Sequence, residues 1–257
     1  MFFYNEQSTP TDPYFTSVSL LLKADGVNNS TNFVDSSANN FAISRGGNAK
    51  ISTVQSKFGG SSAYFAGGQT ARQTDHYNSA DYLSIATAYD VITTGQFTIE
   101  AWVYTAGNGS RAICGTLNWY SGNSSGWLLS VNQDNKLTLL GSDGTWNNIG
   151  LIAASSGTVP LNQWVHVAAT RDESNTVRIF INGQLEGTTP NYGFSLNRVG
   201  ANNTSILRYA FRVGAHLADS YVASPFTGYI DDLRLTSGTA RYASNFTPPG
   251  LHPITGV

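Results

Sequence analysis

"NTVRIFINGQLEG", residues 175–187, is the stretch that decides the fold. Two runs of strand-forming residues flank Asn182-Gly183 in it. A two-residue type I′ hairpin turn needs positive φ at both central residues, and Asn and Gly adopt that conformation at low cost. The stretch therefore predicts a tight antiparallel hairpin. It follows "QWVHVAATRD" (163–172), which also reads as a strand.

Strand patterns continue along most of the chain. "QFTIEAWVY" (96–104) alternates with period two, which predicts a strand that packs one face on a core. The face predicted to be buried consists of Phe97, Ile99, Ala101 and Val103. "GWLLSV" (126–131) and "KLTLLG" (136–141) flank the polar stretch "NQDN" and predict a further hairpin. No segment combines a sustained 3.6-residue apolar stripe with helix caps, so an all-β sandwich or barrel is predicted.

The composition agrees with a loop-rich β protein. The chain has 257 residues, of which 40 % are hydrophobic, enough for one large all-β domain with a buried core. Charged residues make up only 12 %, about half of the usual share of roughly 25 %. The formal net charge is −2 and no run of Lys and Arg is present. Binding to nucleic acid is therefore not expected, because it needs clustered cations.

The two ends of the chain differ from its middle. Residues 1–16 are irregular and contain Pro10 and Pro13, so we predict an N-terminal arm that is either frayed or ordered by a partner. Residues 17–249 form the predicted single domain, and residues 250–257 a short C-terminal tail. The start of the chain lacks the basic segment of a secretory signal. No apolar stretch reaches the roughly 20 residues of a membrane helix, so a cytoplasmically made protein without membrane insertion is expected.

The single cysteine, Cys114, excludes an intrachain disulfide within this sequence. It lies in the apolar stretch "RAICGT" (111–116). A free cysteine in such a stretch is more often a small buried hydrophobe than a reactive thiol. We therefore expect Cys114 to lie in a buried strand.

Four stretches, taken together and in this order, resemble the concanavalin A-like lectin/glucanase superfamily and its laminin-G-like branch. They are "FTIEAWVY" (97–104), "NQWVHVAATRD" (162–172), "NTVRIFINGQLEG" (175–187) and "FTGYIDDLRLTSG" (226–238). The resemblance implies a two-sheet antiparallel jelly-roll β-sandwich. It says less about function, because this sandwich carries enzymes, lectins and structural modules.

The end of the domain, "GTARYASNFTPP" (238–249), is similar to the form of this domain in tailed-phage virion proteins. This resemblance implies a non-enzymatic virion component, such as a tail, fibre or capsid-surface protein that contributes to host attachment. Its partners would be other virion proteins, contacted through the N-terminal arm in an oligomeric assembly, and cell-surface glycan. The alternative is a glycan-binding adhesin module whose own function is attachment.

A glycoside hydrolase is the least favoured alternative. Glucanase relatives carry a Glu-x-Asp-x-x-Glu motif on one strand, because two carboxylates must flank the glycosidic bond. This chain has no such motif: Glu100 lacks it, Asp172-Glu173 lies in a predicted hairpin turn, and Glu186 is isolated. His166 lies within a strand, where a structural histidine is favoured over a catalytic base. No catalytic residue is predicted.

Two adjacent acids begin the last strand, "YIDDLRL" (229–235). Strict alternation places Asp231 on the core side with Leu233 and Asp232 on the outer side with Arg234. A carboxylate that faces the core needs hydrogen bonds or a cation, because an unpaired buried charge is costly. Alternation also separates the two acids, so they cannot act as a pair unless a bulge intervenes.

The resemblance implies a structural Ca²⁺ at the rim of the sandwich. Its ligands would be Asp35, a group at or near Asn40, and Asp231, with Asp25 as a spare. All of them offer the oxygen donors that Ca²⁺ prefers. The alternative is that Asp231 caps backbone amides while Asp25 and Asp35 are turn residues.

Aromatic residues in polar loops are the candidate contact residues. Trp119, Tyr120 and Trp146 lie in such loops, where aromatics can stack on sugar rings or seal a protein interface. Trp102 and Trp164 instead lie within strand patterns. We expect both to pack on a sheet.

Overall fold

The computed structural model describes residues 11–68, 71–72, 80–86, 92, 95–119, 126–142, 149–193, 210–218 and 221–250. A 3₁₀ helix covers Phe15–Ser17. The strands are β1 (Val18–Leu22), β2 (Ser44–Gly46), β3 (Lys50–Ser52), β4 (Ser62–Ala66), β5 (Ala71–Arg72), β6 (Tyr82–Ile85), β7 (Phe97–Thr105), β8 (Arg111–Gly115), β9 (Asn118–Trp119), β10 (Trp127–Val131), β11 (Leu137–Ser142), β12 (Ile149–Ala154), β13 (Trp164–Arg171), β14 (Val177–Ile181), β15 (Gln184–Thr189), β16 (Phe211–Val213), β17 (His216–Ala218), β18 (Tyr221–Ala223) and β19 (Thr227–Ser237).

Two large antiparallel sheets form the sandwich. The first sheet has the order β15-β14-β13-β7-β19-β4-β3, and β1 also pairs with β19. The second sheet has the order β12-β11-β10-β8-β16-β6-β2. This arrangement confirms the predicted two-sheet jelly-roll β-sandwich. In addition, a small sheet of order β5-β18-β17-β9 contains a parallel pair, β17 with β9.

The core lies between the two large sheets and follows the alternation of the strands. The predicted inner face of β7 is confirmed, because its four apolar residues all belong to the main core cluster: Phe97, Ile99, Ala101 and Val103. Trp127 of β10 is also buried there and packs against Phe211 with ring centroids 6.0 Å apart. Cys114 is buried as predicted, and burial raises the pKa of its thiol. The thiolate form is therefore disfavoured.

The predicted hairpin between β14 and β15 is confirmed. Asn182 has φ of 49° and Gly183 has φ of 75°, the signs that a type I′ turn requires. A Cβ at position 183 would collide with the carbonyl of Phe246. The backbone amide of Phe246 donates to the carbonyl of Gly183 at 2.9 Å. Glycine is thus needed here both for the turn and for the approach of the segment that contains Phe246.

That segment, residues 239–248, is the C-terminal strap, and it crosses the outer face of the first sheet. The hydroxyl of Thr98 on β7 donates to the carbonyl of Thr239 at 3.0 Å. The hydroxyl of Thr170 on β13 donates to the carbonyl of Tyr242 at 3.0 Å. The strap therefore covers side chains that alternation turns away from the core. Within the described residues, no helix has the length and apolarity needed to cross a membrane.

Candidate functional site

Trp119 is exposed, but it lies on the paired strand β9 and not in a loop as predicted. Its side chain is 53 % exposed. After β8 the backbone amides of Thr116 and Leu117 both donate to the carbonyl of Trp127, at 3.0 and 2.9 Å, so the chain turns away from β10. It then pairs in parallel with β17, which places Trp119 opposite Ala218. Strand pairing thus fixes the backbone that carries this indole.

The small sheet covers the outer face of the second sheet. Leu83 of β6 belongs to the main core cluster, so its neighbour Tyr82 points to the outer face. Tyr82 packs in a separate apolar cluster with Leu217 and Val222 of the small sheet. Trp119 therefore lies on the side of the sandwich opposite the C-terminal strap.

Two buried polar side chains lie beside Trp119. Asn118 is 1 % exposed, and among the described residues no partner hydrogen-bonds its Oδ1 or its Nδ2. His216 is 6 % exposed, and its Nδ1 has no hydrogen-bond partner in the described part of the chain. Burial, together with the nearby Arg212 guanidinium, lowers the pKa of His216 to about 4. His216 is therefore a neutral imidazole at neutral pH.

The other predicted aromatic contact residues are placed differently or are not described. Tyr120 and Trp146 lie outside the described residues. Trp102 and Trp164 pack on the first sheet as predicted. Trp102 meets the ring of His166 edge to face at 5.2 Å, and Trp164 meets that of Tyr104 at 5.8 Å. Neither side chain is as exposed as that of Trp119.

The carboxylate of Asp35 is buried and organises the loop that follows β1. Its Oδ1 accepts from the backbone amides of Leu21 and Ser37 at 3.0 and 2.9 Å. Its Oδ2 accepts from the hydroxyl of Ser37 at 2.9 Å and from the amide of Phe41 at 3.0 Å. Nearby Asn40 has φ of 45°, as a turn residue with left-handed backbone. These contacts agree with the turn interpretation of Asp35.

Asp231 does not share the core face with Leu233, contrary to the prediction from alternation. Its register partner is Trp102, whereas Arg234 pairs with Glu100, so β19 has a bulge between Asp231 and Arg234. The bulge reverses the alternation, because it adds one residue to β19. Asp231 therefore lies on the outer face of the first sheet, where its Oδ2 accepts from the backbone amides of Lys57 and Phe58 at 2.8 and 3.1 Å.

Two of the predicted calcium ligands, Asp35 and Asp231, belong to segments on opposite edges of β1. Asp35 is bridged to Leu22 on one edge of β1, while Leu233 is paired with Leu22 on the other edge. Two strand spacings of about 4.8 Å thus separate Asp35 from the strand of Asp231. Among the described residues, no group of three acidic, histidine or cysteine side chains could hold a metal ion. Calcium binding remains a prediction.

The predicted outer position of Asp232 and its contact with Arg234 are also corrected. Asp232 is buried and has φ of 48° in the bulge. Arg234 instead donates to Glu100 Oε1, with Nη2 at 2.8 Å, and to Asp12 Oδ2, with Nη1 at 2.9 Å. The bulge therefore changes the partner of Arg234 from a neighbour on its own strand to groups on other segments.

Glu100 is the centre of a buried polar cluster, the clasp, formed by Asp12, Glu100, His166, Arg234, Arg241 and Tyr242. Nε2 of His166 lies 3.2 Å from Glu100 Oε2, and the hydroxyl of Tyr242 donates to the same oxygen at 2.8 Å. Burial alone would raise the pKa of Glu100, but the charge of Arg234 and the contact with His166 hold it well below its usual range. The acid and the histidine are thus bonded to each other beneath the strap, as expected for structural groups.

The clasp also binds the segment before the 3₁₀ helix. Arg241 of the strap donates to both oxygens of Asp12 at 2.8 Å. Burial opposes ionisation, yet the hydrogen bonds and charge of Arg241 lower the pKa of Asp12. Residue 12 belongs to the predicted N-terminal arm, and sequence inspection gave no signal for its contact with position 241.

Two further acids considered in the sequence analysis have local partners. Oδ2 of Asp172 accepts from Nη1 of Arg178 at 2.6 Å in the turn between β13 and β14. Oε2 of Glu186 accepts from the hydroxyl of Ser156 at 2.6 Å and from the amide of Gly157 at 2.7 Å. Both carboxylates hold turns in place.

The two-sheet sandwich and the exposed Trp119 are typical of a jelly-roll domain of the lectin type. Residues 77–241 match the family model described as "Concanavalin A-like lectin/glucanases superfamily". The match covers more than half of the chain, and the protein belongs to this superfamily. No curated protein has a sequence that matches it.

Several solved structures have a similar fold. The botulinum neurotoxin serotype C1 binding domain is 14 % identical, with a TM-score of 0.56, over 92 % of this chain and 50 % of that one. The binding domain of botulinum neurotoxin DC in complex with SialylT is 15 % identical, with a TM-score of 0.54, over 86 % and 48 %. The chain therefore spans about half the length of these toxin domains.

A third similar structure is close to this chain in length. It is domain 4 of AbnA, a GH43 extracellular arabinanase from Geobacillus stearothermophilus, in complex with arabinotriose. It is 18 % identical, with a TM-score of 0.57, and the match covers 87 % of this chain and 94 % of that domain. At such identities the similarity shows a common fold.

Proposed function

We propose that this domain is a non-enzymatic carbohydrate-binding module and that sugar stacks on the indole of Trp119. The observation that carries the proposal is a tryptophan that is 53 % exposed on a backbone fixed by strand pairing. An aromatic ring of this kind offers a large rigid apolar face with little entropy to lose on binding. The apolar C–H face of a pyranose ring is complementary to it.

The structural neighbours support a binding function. One was solved with SialylT and another with arabinotriose, and both have the same sandwich. These ligands belong to those proteins. The arabinotriose complex gives the stronger support, because the match covers 94 % of that domain but only 48 % of the chain solved with SialylT. Trp119 is the described residue of this chain best placed to form a carbohydrate-binding surface.

The surroundings of the described acids support a non-enzymatic role. A glycosidase needs two carboxylates about 5 Å or about 6.5–9.5 Å apart on either side of an accessible bond. Glu100 lies under the strap and is bonded to Arg234 and Tyr242. Asp172 and Glu186 each hold a turn.

A glycan array tests the proposal. We expect the purified domain to bind a subset of glycans, and Trp119→Ala to lose about two- to tenfold in affinity for them, the range for loss of one stacking contact. Trp119→Phe should retain part of the affinity. The control is Val54→Ser, which changes a side chain that is 71 % exposed on the first sheet's side of the molecule. Equal binding by the wild type and Trp119→Ala would contradict the proposal.

We further propose that the domain is carried by a tailed-phage virion, as a tail, fibre or capsid-surface component made in the host cytoplasm. The support is the sequence "GTARYASNFTPP" (238–249), most of which forms the strap. Residues 1–16 would contact other virion proteins in an oligomeric assembly, whereas an adhesin outside a particle is the alternative. Mass spectrometry of purified particles should detect the protein in constant stoichiometry. Its absence from particles would favour the adhesin.

Structural calcium at Asp35, Asn40 and Asp231 is the remaining proposal from the family resemblance. Calorimetric titration of EDTA-treated protein with CaCl₂ tests it, together with the melting temperature. Binding and a higher melting temperature that both disappear in Asp35→Asn would support it. Unchanged melting and no heat of binding would overturn it.

A further inference from the structure

A second side chain lies on the same face of the small sheet as Trp119. Trp119 is opposite Ala218 in the parallel pair of β9 and β17. Residues two apart on a strand share a face, so the side chain of His216 lies on the same face of the small sheet as that of Trp119. A strand spacing of about 4.8 Å and a rise of about 3.3 Å per residue put the two Cα atoms about 8 Å apart. A single sugar residue can bridge side chains at that separation.

Small side chains surround this pair on the same face. Ala218 lies between Trp119 and His216, and Ala223 is the register partner of His216 on β18. Both alanines are half-buried. Neither alanine side chain reaches far above the sheet between Trp119 and His216.

His216 has the hydrogen-bonding capacity that such a ring requires. Its Nδ1 is buried and has no hydrogen-bond partner among the described residues. A buried polar atom without a partner destabilises the folded protein. The imidazole is neutral at neutral pH, because burial and Arg212 lower its pKa to about 4. A neutral imidazole can donate from one nitrogen and accept at the other, which matches a hydroxyl group.

We infer that His216 is a specificity-determining residue of the Trp119 site, where its ring hydrogen-bonds a hydroxyl of an uncharged saccharide stacked on Trp119. The inference rests on the proposed function and adds the class of the ligand. A ring that donates from one nitrogen and accepts at the other matches the hydroxyl groups of an uncharged pyranose.

Asn118 provides a matched control. It precedes Trp119 on β9 and is opposite Leu217, so its side chain lies on the packed face of the small sheet. Asn118→Leu therefore changes a buried polar group next to Trp119 in sequence but on the other face. Its affinity for glycan should equal that of the wild type.

The experiment uses an array of neutral and sialylated oligosaccharides, followed by calorimetry with the neutral oligosaccharide that gives the strongest signal. We expect His216→Ala to lose about tenfold in affinity, as for one hydrogen bond. His216→Gln should retain most of it, because a carboxamide also donates and accepts. Thermal melting of each variant establishes that it is folded, and the Gln variant carries the test if the Ala variant is not.

The outcomes separate the two proposals. Loss of binding in Trp119→Ala with unchanged binding in both His216 variants would overturn the role of His216 and leave the stacking platform intact. Binding of sialylated glycans alone would overturn the neutral ligand class and also leave the platform intact. Absence of any glycan binding by the wild type would overturn the proposed function and, with it, this inference.

Discussion

Glu100 on one outer face of the sandwich and His216 on the other differ in whether their buried polar atoms have hydrogen-bond partners. On the first sheet, Glu100 is buried together with cationic and hydroxyl donors, and its two oxygens bind Arg234 and Tyr242. On the second sheet, the small sheet buries Asn118 and His216 with polar atoms that have no partner among the described residues. The bonded oxygens of Glu100 stabilise the fold, whereas the unbonded Nδ1 of His216, on the same face as the exposed Trp119, suits a ligand.

Glu100→Gln gives the largest expected effect on this comparison. The substitution removes one of the two carboxylates that pair with the buried guanidinium of Arg234, and the loss of one partner of a buried ion pair costs about 3–5 kcal/mol. Denaturant unfolding measures this loss. Asp172→Asn is the control, because the ion pair of Asp172 with Arg178 is more exposed and such pairs contribute about 0–1 kcal/mol. Equal losses in the two variants would show that the clasp is no stronger than a surface ion pair.

Acidification should destabilise the small sheet through His216. The unfolded histidine has a pKa near 6.5 and the folded one near 4, so between these values the unfolded chain binds more protons. Stability is then complete above pH 6.5 and falls as the pH drops to 4, by about 3 kcal/mol for this shift. His216→Gln should flatten the free energy of unfolding over that range. An unchanged slope in the variant would show that His216 is not buried in its neutral form.

Asn118→Leu gives the smallest expected effect and the opposite sign. Replacing a buried polar group that lacks partners with an apolar one removes its desolvation cost, for a gain of about 1 kcal/mol. Thermal melting should show the increase. Destabilisation of similar size would show that the carboxamide of Asn118 has a partner in the folded protein, and the contrast between the two faces would then rest on His216 alone.

Sequence patterns predicted the elements that depend on local rules. The β14–β15 hairpin follows from Asn182-Gly183, because those two residues tolerate the required backbone. The inner face of β7 follows from period-two alternation beginning at Phe97. The burial of Cys114 follows from the apolar stretch around it.

Predictions from local sequence patterns were wrong or missing where contact with a distant segment sets the position of a side chain. A single added residue in β19 moved Asp231 to the other face of the sheet, and alternation cannot reveal a bulge. The pairing of β9 with β17 joins residues about 100 positions apart, so the sequence of "HLA" (216–218) gave no sign that His216 lies beside Trp119. Trp119 itself was recognisable, because an aromatic in a predicted polar loop is unusual enough to be noticed.

The sequence by itself determined the all-β class, the sandwich and the candidate platform, since turn residues and alternation act over a few positions. Only the tertiary structure decided which polar groups are saturated. Glu100 contacts Arg234 and His166 on the neighbouring strands and Tyr242 on the strap that folds back over the first sheet. His216 lies on the face of Trp119 because a parallel pair forms within the small sheet. Hydrogen-bond partners are set by proximity in space, and that proximity depends on how distant segments pack.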